Sequence, residues 1–513
     1  MLKRGVGVSM NKSVRIRKKK IILIYPNLGI YGKIIQDLPL ALLQTARIVY
    51  DKGYDILILD QRLDDNWKDT LKKEINKDTL FVALSAMIGE PINYALEIAK
   101  FMKDNYPEMP VLWGGIHPTL LPLQTLEHPL VDIVIKGDGE ETIYDVAQAL
   151  EKGKSLKGIP GVFYKEKDGT IVSNPVRAPS NLDVLPPIPY NLVNIEAYER
   201  QGFKEKTFTI FTSASCPHRC AFCHVPGEKS TWRPESVDRT MKHLRFIYDT
   251  YHPQYIYFGD NDFFVRMDRA KEIFARIKEE KFEGVTFGFR GTRIDELDRM
   301  DDTMLSLMEE INLTYLHIGA ESGSQRILDF IWKDIKVEQT IRVNQKLAHH
   351  PKLHPSYNFF CGVPTETKAD LKATTDLILR LLKDNPNSQI SSATQFTPYP
   401  GTRLFDIAIQ YGFQPPTSLE GWAKFDPSDF AKRLPWLSKE RQRLLDLIYI
   451  TAWFVDKKVN WNFTSDEMFW KVFRTLSSAY RPIAKFRLKH HFTGLPFEYP
   501  ARKIFFNILE NRN

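Results

Sequence analysis

Cys216-Pro217-His218-Arg219-Cys220-Ala221-Phe222-Cys223 places three thiols on one short loop, directly after the strand-like run 207–212. Thiolates are the natural ligands of iron–sulfur clusters and of zinc. A structural zinc site is closed by a fourth ligand. Here the nearest spare donors are His218 and His224, and the one remaining cysteine, Cys361, lies far downstream. Three thiolates on such a loop can hold three irons of a [4Fe-4S] cluster and leave the fourth iron open to a small molecule. Four cysteines, three of them clustered, do not make a disulfide framework. Cys361 reads as a small buried core residue.

Downstream of the loop the pattern alternates. The stretches 207–212, 254–259, 285–289, 314–318, 356–361 and 390–396 read as strands. Helical patterns at 235–250, 267–279, 302–311, 323–330, 337–348 and 366–384 fill the gaps. Six βα units in a row predict a full or partial barrel with its functional groups at the carboxyl ends of the strands. Upstream, runs at 21–25, 55–60, 80–85, 111–114 and 131–136 alternate with helical stretches at 38–50, 91–105 and 140–151, the pattern of a doubly wound parallel sheet. A small hairpin is expected at 161–164 and 170–173, followed by the proline-rich segment 182–189, an extended linker. The fold class is therefore α/β. A basic tail (1–20) precedes a Rossmann-like domain (21–152), a hairpin and linker (153–200), a partial (β/α)6 TIM-like barrel (201–405) and a mainly helical C-terminal region (406–513).

The CxxxCxxC spacing after a strand, with Phe222 before the third cysteine, resembles the radical S-adenosylmethionine (SAM) superfamily. Further stretches match that family's order. Tyr257-Phe258-Gly259-Asp260-Asn261-Asp262 ends the second barrel strand and Gly291-Thr292-Arg293-Ile294-Asp295 the third. Ile318-Gly319-Ala320-Glu321-Ser322-Gly323-Ser324 ends the fourth, Cys361-Gly362-Val363-Pro364-Thr365-Glu366-Thr367 the fifth and Thr397-Pro398-Tyr399-Pro400-Gly401-Thr402 the sixth. The resemblance implies a [4Fe-4S] cluster on Cys216, Cys220 and Cys223. It also implies SAM contacts from Phe222, Gly259, Asp260, Asp262, Arg293, Glu321, Ser322, Val363 and Tyr399.

An α/β domain and a proline-rich linker ahead of the barrel resemble the cobalamin-dependent branch of that family. The matching residues are Ser85, then Trp113-Gly114-Gly115-Ile116-His117-Pro118, then Lys136-Gly137-Asp138-Gly139-Glu140. Glycines at strand ends let backbone approach a ligand closely. The implied cobalamin contacts are Ser85, Gly114, Gly115, His117, Gly137, Gly139 and Glu140; a nucleotide-binding domain is the alternative. No D-x-H-x-x-G motif offers a cobalt ligand, so cobalamin is expected base-off. His117 is expected to hydrogen-bond backbone or corrin amides.

The resemblance implies C-methylation of an unactivated sp3 carbon through a 5′-deoxyadenosyl radical and methylcobalamin. The alternative is a cyclase or oxidoreductase that transfers no methyl. An external one-electron reductant of the flavodoxin or ferredoxin type is implied. A tRNA-modifying methylthiotransferase would need three further cysteines, and none precedes Cys216.

Charge bounds the partners. The 513 residues carry a net +8, but residues 1–20 hold eight Lys or Arg and residues 471–513 hold nine, against two acidic residues. The remainder, with 54 basic and 61 acidic residues, is net −7 and is not a nucleic-acid binder. The leader reads as a solvated tail; the alternative is that both basic ends lean on an anionic membrane surface. No apolar run reaches the length of a membrane span: Leu444 to Val455 is short and contains Asp446. With no signal peptide visible, a cytoplasmic location is expected, with peripheral membrane contact as the alternative. The substrate is expected to be a small or lipid-like molecule meeting the basic, apolar-interleaved segment 481–491.

Overall fold

A computed structural model describes residues 18–29, 32, 37–198, 206–225, 231–425, 434–463, 465–494, 498 and 500. Most of the basic leader (residues 1–17) and the expected barrel start at residue 201 lie outside the described residues.

Ile21 to Ile24 are fully buried, as a strand covered by helices on both faces requires. They form β1 (Lys20–Tyr25), an interior strand of a sheet with β2 (Asp55–Asp60), β3 (Thr79–Ser85), β4 (Val111–Gly114), β5 (Ile133–Ile135), β6 (Val162–Lys165) and β7 (Ile171–Ser173). The order is β2-β1-β3-β4-β5-β6-β7, parallel through β5. The expected fifth strand, 131–136, is trimmed to three residues. The expected hairpin does not stand apart: β6 pairs antiparallel with β5 (Ile133 opposite Tyr164) and extends this sheet. Strand order reverses at β1/β3, the place where an open α/β sheet leaves a crevice at its carboxyl edge.

The proline-rich segment is a packed strap. Leu185, Ile188 and Tyr190 are buried. Arg239 Nη2 donates to Leu185 O (2.6 Å), and the Tyr190 hydroxyl bonds His243 Nε2 (3.0 Å). The strap thereby ties the first sheet to the second.

The second sheet contains β8 (Thr207–Ile210), β11 (Tyr255–Phe258), β12 (Thr286–Arg293), β13 (Leu313–Glu321), β14 (His354–Cys361) and β15 (Gln389–Gln395). A two-residue ladder, β9 (Ser213–Ala214) with β10 (Arg233–Pro234), brackets the cysteine loop. The six long strands are all parallel in the order β15-β14-β13-β12-β11-β8, an open six-stranded barrel. Alternation sorts its residues. Phe258, Phe287 and Phe289 face the surrounding helices: Phe258 and Phe289, stacked at 4.5 Å, meet Phe263, Phe289 also Phe264 and Phe274, and Phe287 meets Phe282. Each such buried ring contributes about 1.5–3 kcal/mol. Their neighbours along the strands face the lumen.

Beyond β15 the chain is helical. Lys439–Ala452 covers β15, and Asp456 Oδ2 accepts from Ile390 N (2.6 Å). The short helix Leu419–Ala423 reaches back to the first domain, where Trp422 Nε1 donates to Gln124 Oε1 (2.6 Å). No helix among the described residues is long and apolar enough to cross a membrane.

Candidate active site

The cysteine loop sits at the carboxyl end of β8. Cys216, Cys220 and Cys223 are all partly exposed and free of disulfides, whereas Cys361 is buried at the end of β14. Burial pushes the Cys216 thiol up to about 12 and raises Cys223 as well, so metal binding must displace protons here. Ser215, just before the first cysteine, is held at φ +69°, a left-handed conformation that costs a non-glycine residue energy.

The residues expected around the loop divide into two groups. Asp262, Arg293 and Phe222 converge on it. Cys216 Sγ donates to Asp262 Oδ2 (3.7 Å), Arg293 Nη1 to Cys220 Sγ (3.7 Å), and the Phe222 ring meets Phe360 at 4.7 Å. Asp262 is fully buried, and its Oδ1 has no hydrogen-bond partner among the described residues. Glu321 stands at the lumen end of β13 at φ +61°. Its Oε1 accepts from the buried Lys333 Nζ (2.7 Å), its Oε2 from Asn358 Nδ2 (3.4 Å). Tyr399 is packed by His224, ring to ring at 5.8 Å.

The others are turned into the scaffold. Both Asp260 oxygens accept from Thr212 N, and Oδ1 also from Thr212 Oγ1 and Ser213 Oγ, so this carboxylate fastens β8 to β11. Gly259 lets the two strands close up: a Cβ there would lie 3.0 Å from Phe211 and Thr209. Ser322 Oγ bonds Thr374 Oγ1 (3.1 Å), and Val363 is fully buried.

The lumen also holds residues that motif reading missed. Arg290 precedes Arg293 by three positions on β12. It is exposed toward the lumen and forms no ion pair among the described residues. Burial, then the Arg290 charge, lowers His224; the same causes, with Lys333, hold His317 down to about 4, so both rings are neutral at physiological pH. His317 was legible in principle: it alternates with buried Leu316 and Ile318 on a strand already assigned. Lys333 was not, because the turn carrying it has no glycine or proline and holds Trp332 and Asp334 left-handed.

His218, Asp262 and Glu296 form the one group of three donors, among the described residues, whose ligand atoms all lie within 4.8 Å of one another. The three sulfurs form no such group, whereas a single tetrahedral zinc would draw them that close. A polynuclear cluster, which spreads its ligands, fits the loop, and the unpaired Asp262 Oδ1 leaves one polar atom there for a bound group. Burial and the facing Asp262 push the Glu296 carboxyl up to about 9.

The first sheet has its own site. At the carboxyl ends of β1, β3, β4 and β5 lies a cavity of about 220 Å³. Ser85, Gly114, Gly115, Gly137, Gly139 and Glu140 line it, with Thr45 on the facing helix Leu40–Asp51. Gly115 sits at φ +96°, and a Cβ on it would lie 2.8 Å from Ala86 O. These side-chain-free walls fit an inserted corrinoid tail. Arg47 Nη2 holds Glu140 Oε1 (3.0 Å). His117 departs from expectation: it does not line the cavity, and neither ring nitrogen has a hydrogen-bond partner among the described residues. The short helix Ile116–Leu120 turns the ring toward Trp422 (5.9 Å), and burial holds it neutral, down to about 4.

The two sites share one interface. Arg233 Nη2 donates to Asp138 Oδ2 (2.7 Å) on the cavity lip, and Arg233 pairs with Ala214, two residues before Cys216. At the other side, a Cβ on Gly401, after β15, would lie 4.0 Å from Leu120 of the first domain.

Residues 210–378 match the radical SAM superfamily and residues 36–147 the B12-binding domain. The chain is 31% identical to an uncharacterised methyltransferase of Pyrococcus horikoshii, over 82% of this chain and 88% of that one. It is 25% identical to the anaerobic magnesium-protoporphyrin IX monomethyl ester cyclase of Rubrivivax gelatinosus, over 75% and 69% respectively. Its fold is that of the cobalamin-dependent SAM radical enzyme OxsB with aqua-cobalamin and SAM bound (TM-score 0.73, 17% identity, 92% of this chain and 72% of that one).

Proposed function

The chain belongs to the cobalamin-dependent radical SAM family, with a [4Fe-4S] cluster, SAM and cobalamin as its cofactors, and from that membership we propose that it is a C-methyltransferase acting on an unactivated sp3 carbon. When bound, the cofactors supply a 5′-deoxyadenosyl radical to take a hydrogen atom from the substrate and a methyl group to replace it. The observation that carries the reading is the shared interface. The Arg233–Asp138 contact sets the cysteine loop against the cavity of the first domain, so one substrate carbon can meet both chemistries.

The protein's own part is to bind, orient and exclude water. Cys216, Cys220 and Cys223 hold the cluster. Arg293 and Asp262 steady the loop, and Asp262 keeps one oxygen for SAM. Glu321, fixed by Lys333 and Asn358, presents a carboxylate at the barrel mouth. Tyr257, Tyr315 and Asn358 line the lumen deeper down, an aromatic and polar wall suited to a small or lipid-like substrate. Ser85 and the glycines of the first domain cradle the corrinoid tail. A one-electron reductant of the flavodoxin or ferredoxin type feeds the cluster from outside.

Similarity to the magnesium-protoporphyrin ester cyclase favours a second reading, ring formation without methyl transfer. Anaerobic incubation of the cofactor-loaded protein with methyl-deuterated SAM, reductant and cell extract separates the two. A product carrying the labelled methyl group supports the methyltransferase; an unlabelled, newly cyclised product supports the cyclase.

A further inference from the structure

The helix Met468–His490 runs 23 residues, about 34 Å at 1.5 Å per residue. One face packs inward through the buried Trp470, Ser477, Ala484 and Leu488. The outward face should be polar on a helix that ends at water. It is not. Met468 is 75% exposed, Val472 47%, Leu476 63%, Ile483 47% and Phe486 55%. At 100° per residue these side chains and Ala479 fall within an arc of about 80°, an apolar band along the helix that is interrupted only at its last residue, the exposed His490. Phe492, also exposed, continues it.

Charge is arranged beside the band. Lys471, Lys485 and Lys489 form a row along one edge, all exposed and with no ion pair among the described residues. The helix contains no Asp or Glu. Its arginines are turned to other work: Arg474 donates to Phe463 O and Ser465 O, Arg481 to Asp456 O, and Arg487 pairs with Glu498.

We infer that this helix docks on an anionic lipid surface, with the apolar band in the acyl boundary and the lysine row among the headgroup phosphates. An apolar face beside a cationic edge matches the layering of an anionic bilayer surface. A second copy of the same helix is a poorer occupant, because it brings no acidic residue to answer the lysines. The inference does not depend on which reaction the barrel carries out.

The test is co-sedimentation of the full-length, cofactor-loaded protein with vesicles of phosphatidylcholine, alone or mixed with phosphatidylglycerol. The expected result is binding to the mixed vesicles that weakens with salt. L476S/F486S should abolish binding, and K471Q/K485Q/K489Q should lower the partition coefficient about a hundredfold. All five positions are exposed, and far-UV circular dichroism and visible cofactor absorbance verify that the variants fold. Wild-type protein left in the supernatant with mixed vesicles overturns the inference. So does undiminished binding of L476S/F486S, or a dimer in sedimentation velocity that this variant dissociates, which would assign the face to a second copy.

Discussion

Lys333 and Glu321 offer a quantitative test of how the barrel mouth is held together. Their charged atoms are 2.7 Å apart and both side chains are almost fully buried. At an effective dielectric near 20, two unit charges at that distance attract by about 6 kcal/mol. Desolvation offsets much of this, so the intact pair adds little net stability. Burial alone would lower Lys333; Glu321, and then Cys220, more than reverse that and leave it raised. Its contribution is therefore complete below the ordinary lysine range and lost only as pH rises through the elevated value. Lys333→Met strands the Glu321 carboxylate in a buried site and should cost about 3–5 kcal/mol. E321M/K333M removes both charges and should recover most of that loss. The assay is urea unfolding of the metal-free protein at pH 7, followed by far-UV circular dichroism, for wild type, both single variants and the double variant. A double variant as unstable as the sum of the singles would mean that the two groups do not sense each other.

Other perturbations probe the separate sites. Cysteine-to-alanine changes at 216, 220 or 223 should each abolish bound iron after reconstitution, while Cys361→Ala, buried at the end of β14, should retain it; iron analysis and visible absorbance decide. Gly115→Ala forces an alanine into φ +96°, ψ −167°, a region essentially reserved for glycine, and against Ala86 O, at about 1–3 kcal/mol for the backbone alone, and should weaken cobalamin binding in a spectral titration. His117→Phe should leave the bound cobalamin spectrum unchanged, because the imidazole faces Trp422 rather than the cavity. Burial raises the Glu366 carboxyl to about 8, although Gly362 N donates to it. The folded state thus holds a proton that the unfolded chain releases near pH 4.5, so stability falls between about pH 4.5 and 8 and levels off above. Glu366→Gln should remove most of that slope, of order 3–5 kcal/mol, in denaturation curves at pH 5 and 9.

Much of the fold was legible because its strands carry one of two burial patterns. Ile21 to Ile24, buried on both faces, are a continuous apolar stretch, whereas barrel strands such as Thr207 to Ile210 alternate buried apolar with half-buried polar residues. What the sequence hid was pairing. Nothing in Gly161 to Ser173 says that its hairpin joins β5 rather than standing alone, since edge pairing depends on which neighbour lies open. At the site, the cysteine spacing and the strand-end glycines were readable because backbone geometry demands those residue types. Asp260 and Asp262 look alike in the sequence, yet one fastens two strands and the other faces the cysteine loop. A difference of two residues at a strand end decides that, and only the turn geometry fixes it. Arg290 and His317 face the lumen by simple alternation. Lys333 reaches Glu321 through a turn with no sequence signal at all.

In the proposed methyltransferase, two cofactors act on one substrate at the interface marked by Arg233 and Asp138. Quantifying the products of anaerobic turnover with purified substrate tests it most directly. S-adenosylhomocysteine, 5′-deoxyadenosine and methylated product are expected in equal amounts. Deoxyadenosine matched by an unmethylated product, with no S-adenosylhomocysteine, would contradict it.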